Sequence, residues 1–78
     1  RQNIRKEETH MTNAAELEGA IAKSGKSKKE IAAALALSEA GLWKKITNQS
    51  EFKATEIKKI QSLLSLSAAE RDQIFFAQ

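Results

Sequence analysis

Apolar residues recur every three or four positions along most of the chain, which is the spacing of a helix face turned towards a core. A first helix is expected over about residues 14–24, with Asn13 as its N-terminal cap. Glu16 is placed to complete a reciprocal cap with Asn13, and Gly25 is a residue type that commonly ends helices. The inward face of this helix is expected to comprise Leu17, Ala20, Ile21 and Ser24.

Two further helix starts are marked by a serine followed three residues later by a glutamate, the pattern of a capping box. The first pair, Ser27 and Glu30, begins helix 2, whose inward face is expected to comprise Ile31, Ala34 and Leu35. The second pair, Ser67 and Glu70, begins helix 5, which ends in the apolar segment Ile74-Phe75-Phe76.

Helix 3 is expected after Ser38, with Leu42 and Ile46 facing inward. Because only about three residues separate it from helix 2, these two helices must meet at a steep angle. A polar loop with one apolar anchor, Phe52, leads to helix 4 over about residues 54–64. The inward face of helix 4 is expected to comprise Ile57, Ile60 and Leu64.

Together these elements predict an all-α fold, a compact bundle of about five short helices. A length of 78 residues fits one domain. The polar, aperiodic residues 1–11 are expected to form a flexible tail, and residues 12–78 to form the folded domain. Met11, at this boundary, is a candidate initiation residue.

Composition and charge indicate where the protein acts and what kind of partner it binds. There are no cysteines, and no apolar run approaches the roughly 18 residues of a membrane span, so a cytoplasmic protein without membrane contact is expected. The net charge is +3, but residues 23–59 hold nine lysines and four acids, a local net charge of +5. A basic block of this kind favours a polyanionic partner such as nucleic acid, or it is simply a solvated lysine-rich surface.

Residues suited to catalysis are scarce. The one histidine, His10, falls in the expected tail, and the sequence has neither cysteine nor tyrosine. Glycine-rich phosphate loops and histidine or cysteine clusters with metal-ligand spacing are missing from the sequence. We therefore expect no enzymatic activity, no cofactor and no metal.

Residues 27–46, S-K-K-E-I-A-A-A-L-A-L-S-E-A-G-L-W-K-K-I, have the spacing of a helix-turn-helix. In the first helix that motif needs an apolar and a small residue where the helices cross, and a second apolar residue one turn later. It then needs a tight turn, an apolar residue that packs into the core, and a second helix with an N-terminal cap. The chain supplies these in order with Ile31, Ala32, Leu35, Ala36, Leu37 and Ser38.

This spacing resembles the helix-turn-helix of phage repressors and Cro proteins, the Xre-like family of regulators. The segments G-L-W-K-K-I, S-E-F-K-A-T-E-I-K-K-I and I-F-F-A resemble, more narrowly, short regulators or modulators of repression from temperate phages of Gram-positive bacteria. The resemblance implies a lambda-repressor-like domain acting in the bacterial cytoplasm as a sequence-specific transcription regulator, a Cro-type or repressor-type switch protein. Double-stranded operator DNA and a weak homodimer are the implied partners.

The chain departs from the family pattern at two positions. The family usually has glycine in the turn where this chain has Ala36, so the turn is expected to be less sharp or strained. Late in helix 3 the family often has a buried aliphatic residue where this chain has Lys45, followed by Ile46. Helix 3 is therefore expected to be rotated or packed differently.

In this family the second helix of the pair lies in the major groove, with its N-terminal residues facing base edges. The residues that the resemblance implies for this surface are Ser38, Glu39, Ala40, Trp43 and Lys44. Residues at the start of helix 2 and beyond helix 3 are implied to hold the DNA backbone: Lys28, Lys29, Asn48, Gln49, Ser50, Lys53 and Thr55.

Each of these assignments has a purely structural alternative. Trp43 can pack against helix 4 with one edge of its indole exposed, and Glu39 can merely favour the N-terminus of its helix. The lysines of helices 3 and 4 can be ordinary solvated side chains. Of Phe75 and Phe76, one is expected in the core and the other at a dimer contact or in a disordered end.

Two other functions remain open at this point. One is an antirepressor that binds a partner repressor protein, with an interface formed by the exposed tail and by Ile74, Phe75 and Phe76. The other is a helical module that binds a protein through helix 3 and never touches DNA, although the basic block argues against it. Neither the DNA-binding regulator nor the antirepressor needs a cofactor.

Overall fold

The structure, a computed structural model, describes residues 11–76. Five helices form in this range, α1 (Ala14–Ser24), α2 (Lys28–Ala34), α3 (Glu39–Ile46), α4 (Ala54–Leu63) and α5 (Ala68–Phe75). They confirm the predicted all-α fold, and the spans expected for α1 and α4 agree with the structure to within one residue. The tail predicted over residues 1–11 lies, apart from Met11, outside the described residues.

Four of the helices begin with a side-chain cap. In each, a side-chain oxygen of the residue before the helix accepts a hydrogen bond from a backbone amide in the first turn. The residues that cap in this way are Asn13, Ser27, Ser38 and Ser67. Glu30 and Glu70 return the bond by accepting from the capping serine amides at 2.8 Å, as predicted. The amide of Asn13 instead donates to the Ile74 carbonyl at 2.7 Å, which ties the start of α1 to α5 and replaces the return bond expected from Glu16.

One apolar core is formed where the inward faces of the five helices meet. Its buried residues are Leu17, Ile21, Ile31, Ala32, Leu35, Leu42, Ile46, Ile60, Ile74 and Phe75. Phe52, the predicted anchor of the polar loop, packs edge-on against Phe75 with ring centroids 5.3 Å apart. The inward face of α2 is centred on Ile31, Ala32 and Leu35, so the prediction that Ala34 is buried was wrong.

The end of α5 belongs to this core. Ile74 and Phe75 are 3% and 2% exposed, whereas Phe76 is half-buried. One of the two phenylalanines therefore fills the core, as the sequence predicted. Two of the three residues suggested for a protein interface, Ile74 and Phe75, lie inside the monomer.

The turn between α2 and α3 is built on Ala36, which has a φ of +58°. This left-handed conformation lets the Leu37 amide donate to the Ala32 carbonyl at 2.8 Å, closing the end of α2 and directing the Leu37 side chain towards the core. Ser65, with a φ of +53°, repeats the arrangement between α4 and α5. The turn is thus as sharp as one with glycine, and the strain falls on the alanine Cβ.

Replacing Ala36 with glycine is expected to stabilise the protein by about 0.5–1 kcal/mol. The glycine relieves the strain of the left-handed conformation, and this gain exceeds the added entropy of the unfolded chain. Urea denaturation followed by circular dichroism measures the difference. Ala33→Gly is the matched control, since Ala33 is exposed inside α2 and the same change there should destabilise by a similar amount. A destabilising Ala36→Gly would show that the turn is not strained.

Candidate nucleic-acid interface

The outward face of α3 presents side chains that the core does not use. Leu42 and Ile46 are 1% and 0% exposed, which fixes the inward side of this helix. Ala40, Trp43 and Lys44 are exposed, and their three- and four-residue spacing places them together on the opposite side. Ser38 and Glu39, at the start of the helix, are also exposed.

Trp43 has 47% of its surface exposed. The Nζ atom of Lys28, on α2, lies 4.9 Å from the centroid of the indole ring, within the range of a cation–π interaction. The same ammonium lies 2.8 Å from Oε1 of Glu18 on α1. Trp43 and Lys28, two of the predicted site residues, are therefore in contact, and a carboxylate from a third helix joins them.

Lys45 is not an ordinary solvated lysine, so that alternative was wrong for this residue. Its Nζ donates to Oε1 of Glu56 at 2.8 Å and to the Glu51 carbonyl at 3.1 Å. The side chains of Lys45 and Glu56 are only 12% and 10% exposed. With Ile46 in the core, Lys45 therefore links the end of α3 to the start of α4.

Glu56 is held in its charged form. Burial raises the pKa of this carboxyl, but hydrogen bonds from the Lys45 ammonium and the Lys53 amide, together with the charges of both lysines, lower it below the ordinary value of 4.5. The Lys53 amide donates to the same oxygen, Oε1, at 2.8 Å. Lys53 is the N-cap of α4, but its side chain has no hydrogen-bond acceptor and cannot cap a backbone amide of the helix. The bond from the Lys53 amide to Glu56 is therefore one half of a capping box, without the other half.

Asn48 connects the loop after α3 to the residues before α1. Its Oδ1 accepts from the Thr12 amide at 2.8 Å, and its Nδ2 donates to the Thr12 carbonyl at 2.9 Å. Thr12 is 8% exposed, and Asn48 has a φ of +67°, a conformation that asparagine tolerates better than most residues. The Asn48 side chain thus has a structural role, whatever it contributes to a partner.

The remaining predicted contacts lie on the surface of α2, the loop and α4. Gln49 and Ser50 wrap the end of α3, since both amides donate to the Lys44 carbonyl, at 2.7 and 3.2 Å. The side chains in this group are exposed and comprise Lys29, Gln49, Ser50, Lys53 and Thr55. Lys29 lies beside Lys28 on α2, whereas Gln49, Ser50, Lys53 and Thr55 follow α3 along the chain.

Sequence reasoning missed three partners of the site, Glu18, Glu56 and Thr12. Glu56 stands three residues after Lys53, the residue that precedes α4, so its bond to the Lys53 amide had a local signal. The contacts of Glu18 with Lys28 and of Thr12 with Asn48 join separate elements, and no local pattern marks them. Within residues 11–76 no cluster of three or more acidic, histidine or cysteine side chains is suited to a metal ion, and no helix is long and apolar enough to cross a membrane.

Replacing Glu56 with glutamine is expected to lower the free energy of unfolding at pH 7 by about 1–3 kcal/mol, because the largely buried Lys45 loses a charged acceptor. In the wild type this stabilisation is present above pH 4.5 and is lost as the pH falls through the lower pKa of folded Glu56. Urea denaturation between pH 3 and pH 7 measures both effects.

The variant should lose less stability than the wild type over the same acid range. Glu51→Gln removes an equal charge from an exposed residue and should leave the pH dependence nearly unchanged. Equal acid sensitivity of Glu56→Gln and the wild type would mean that the ion pair does not hold α3 to α4.

Replacing Asn48 with glycine keeps the left-handed backbone but removes both hydrogen bonds to Thr12. The expected loss is about 1–3 kcal/mol of unfolding free energy, since Thr12 is buried and its amide and carbonyl lose their partners. Thermal denaturation measures this loss. Ser50→Gly, two residues later in the same loop, serves as the control, and an equal effect of both variants would contradict the structural role of Asn48.

Comparison with protein-family models, with curated proteins and with solved structures found no match to the chain. The resemblance to phage repressors and Cro proteins therefore stays a prediction drawn from the residue pattern. Function has to be argued from the geometry and chemistry of the site.

Proposed function

We propose that this protein is a sequence-specific, double-stranded DNA-binding transcription regulator of the Cro or repressor type, acting in the cytoplasm of a bacterial host cell. The observation that carries the proposal is the outward face of α3, where Ala40, Trp43 and Lys44 are exposed beside a basic surface. In this proposal α2 and α3 form a helix-turn-helix, and α3 enters the major groove.

The dimensions of α3 suit this role. An α-helix with its side chains is about 10–12 Å across, and the major groove of B-form DNA is about 12 Å wide. The sharp turn at Ala36 and the short α2 leave the start of α3, with Ser38 and Glu39, on the surface. These are the residues that a helix inserted end-first brings to the base edges.

The side chains on this face match groups displayed by base pairs. Glu39 can accept a hydrogen bond from N4 of cytosine, and Lys44 can donate to O6 and N7 of guanine. Ala40 can contact the methyl group of thymine. Ser38 already accepts from the Gly41 amide at 2.9 Å, so its hydroxyl has a hydrogen left to donate.

Lysines around α3 supply the attraction to phosphate. Lys29 and Lys53 are exposed at the starts of α2 and α4. Lys45 is engaged by Glu56 and is left out of this set. Because binding to phosphate releases condensed counterions, affinity for any duplex should fall as salt rises.

A palindromic target is expected. With only eight residues, α3 reads a few base pairs, and two copies on one duplex would roughly double the contact energy. A dimer that forms mainly on DNA satisfies this requirement.

Selection from randomised duplex DNA at near-physiological salt, followed by sequencing of the enriched pool, tests the proposal. Enrichment of a palindrome is the expected result and yields the operator. An unenriched pool with only salt-sensitive, nonspecific binding would contradict sequence-specific recognition. That outcome would favour the antirepressor alternative and a search for the partner repressor, even though two of its three suggested contact residues are buried.

Replacing Lys44 with alanine is expected to reduce discrimination between the selected site and a site altered at one base pair by about 1–3 kcal/mol. Fluorescence anisotropy with the two labelled duplexes measures this difference. Lys23→Ala makes the same change in charge at the end of α1 and should weaken both duplexes equally. If Lys44→Ala also weakens both equally, Lys44 contacts phosphate and not a base.

A further inference from the structure

Lys28 lies where α1, α2 and α3 meet. Its ammonium is 2.8 Å from Oε1 of Glu18 and 4.9 Å from the centroid of the Trp43 ring. One cation is therefore held by a carboxylate while it covers part of an exposed aromatic surface. Both Lys28 and Trp43 belong to the proposed DNA-binding surface, whereas Glu18 does not.

We propose that Glu18 is a positioning residue that competes with DNA phosphate for Lys28 and so limits the affinity of the protein for duplex DNA. This inference rests on the proposed function. In the free protein the Glu18 carboxylate holds Lys28 over Trp43. On DNA the ammonium exchanges this carboxylate for a phosphate oxygen.

The exposure of the pair makes this exchange feasible. The side chains of Lys28 and Glu18 are 41% and 33% exposed, so a phosphate can approach the ammonium and water can solvate the released carboxylate. The second lysine–glutamate pair near α3 behaves differently. Lys45 and Glu56 are 12% and 10% exposed, and separating them would leave two largely buried charges without partners.

The exchange changes two parts of the surface together. When Lys28 turns to phosphate, its positive charge becomes available to DNA and the covered part of the Trp43 ring is freed for contact. Both effects predict that removing the charge of Glu18 tightens binding.

The test compares Glu18→Gln, Lys28→Met and the double variant with the wild-type chain. Fluorescence anisotropy measures binding to one unrelated duplex and to any duplex obtained by selection, at several salt concentrations. Glu18→Gln should bind about two- to fivefold more tightly at low salt, the factor expected for an exposed ion pair. Its plot of log affinity against log salt should be steeper by up to about 0.9, the value for one added phosphate contact.

In the Lys28→Met background the Glu18→Gln change should have little effect, because the proposed competition acts through Lys28. Glu16→Gln removes the same charge from an exposed position on α1 and controls for net charge. The proposal is overturned if the gain persists without Lys28, or if Glu16→Gln gives an equal gain. Circular dichroism melting of each variant shows that it is folded.

The outcomes also distinguish a failure of the proposed competition from a failure of DNA binding itself. If the wild type binds duplex DNA and Glu18→Gln binds equally well, the competition is refuted while DNA binding stands. If neither the wild type nor Glu18→Gln binds any duplex at low salt, both the proposed function and this inference are wrong. Binding by Glu18→Gln alone would support strong competition by Glu18.

Discussion

The orientation of α3 depends on two adjacent residues with opposite chemistry, Lys45 and Ile46. Ile46 is fully buried, while Lys45 reaches sideways to Glu56 at the start of α4. An ammonium with so little exposure is costly to leave unpaired, so α3 cannot rotate about its axis without losing this bond. The exposure of Trp43 and Lys44 follows from that constraint, because both lie on the side of α3 away from the core.

Each end of α3 is held in place by a different set of interactions. At its start, the left-handed conformation of Ala36 sets the angle to α2, and Leu37 anchors the turn beside the core. Beyond its end, Asn48 also adopts a left-handed conformation and holds the backbone of Thr12 through two hydrogen bonds. α3 buries Leu42 and Ile46 in the core, and its fixed ends add to that contact in keeping its outward face in one place.

Local signals were enough to predict the helices but not the site. Serine caps, capping boxes and three- to four-residue spacing depend on neighbours in sequence, and the five helices appeared where these signals placed them. The same reasoning failed at Ala34, since Ala32 and Ala34 lie about 200° apart around the axis of α2 and the packing of the bundle decides which of them is buried. It also missed the pairing of Lys28 with Glu18, because the two residues lie on different helices and only the packing of the bundle brings them together.

The charge available to a partner is therefore not the charge counted along the sequence. Residues 23–59 carry nine lysines, yet two of the lysines closest to the proposed interface are paired with carboxylates in the folded protein. Lys45 is bound to Glu56, a largely buried acid that also accepts a hydrogen bond at the start of α4, so the charge of Lys45 stabilises the fold. Lys28 is bound to Glu18, an acid whose side chain is 33% exposed, and water or phosphate can replace that acid. The strength of the basic surface is thus governed by which carboxylates can release their lysines, a property that depends on burial and that composition does not reveal.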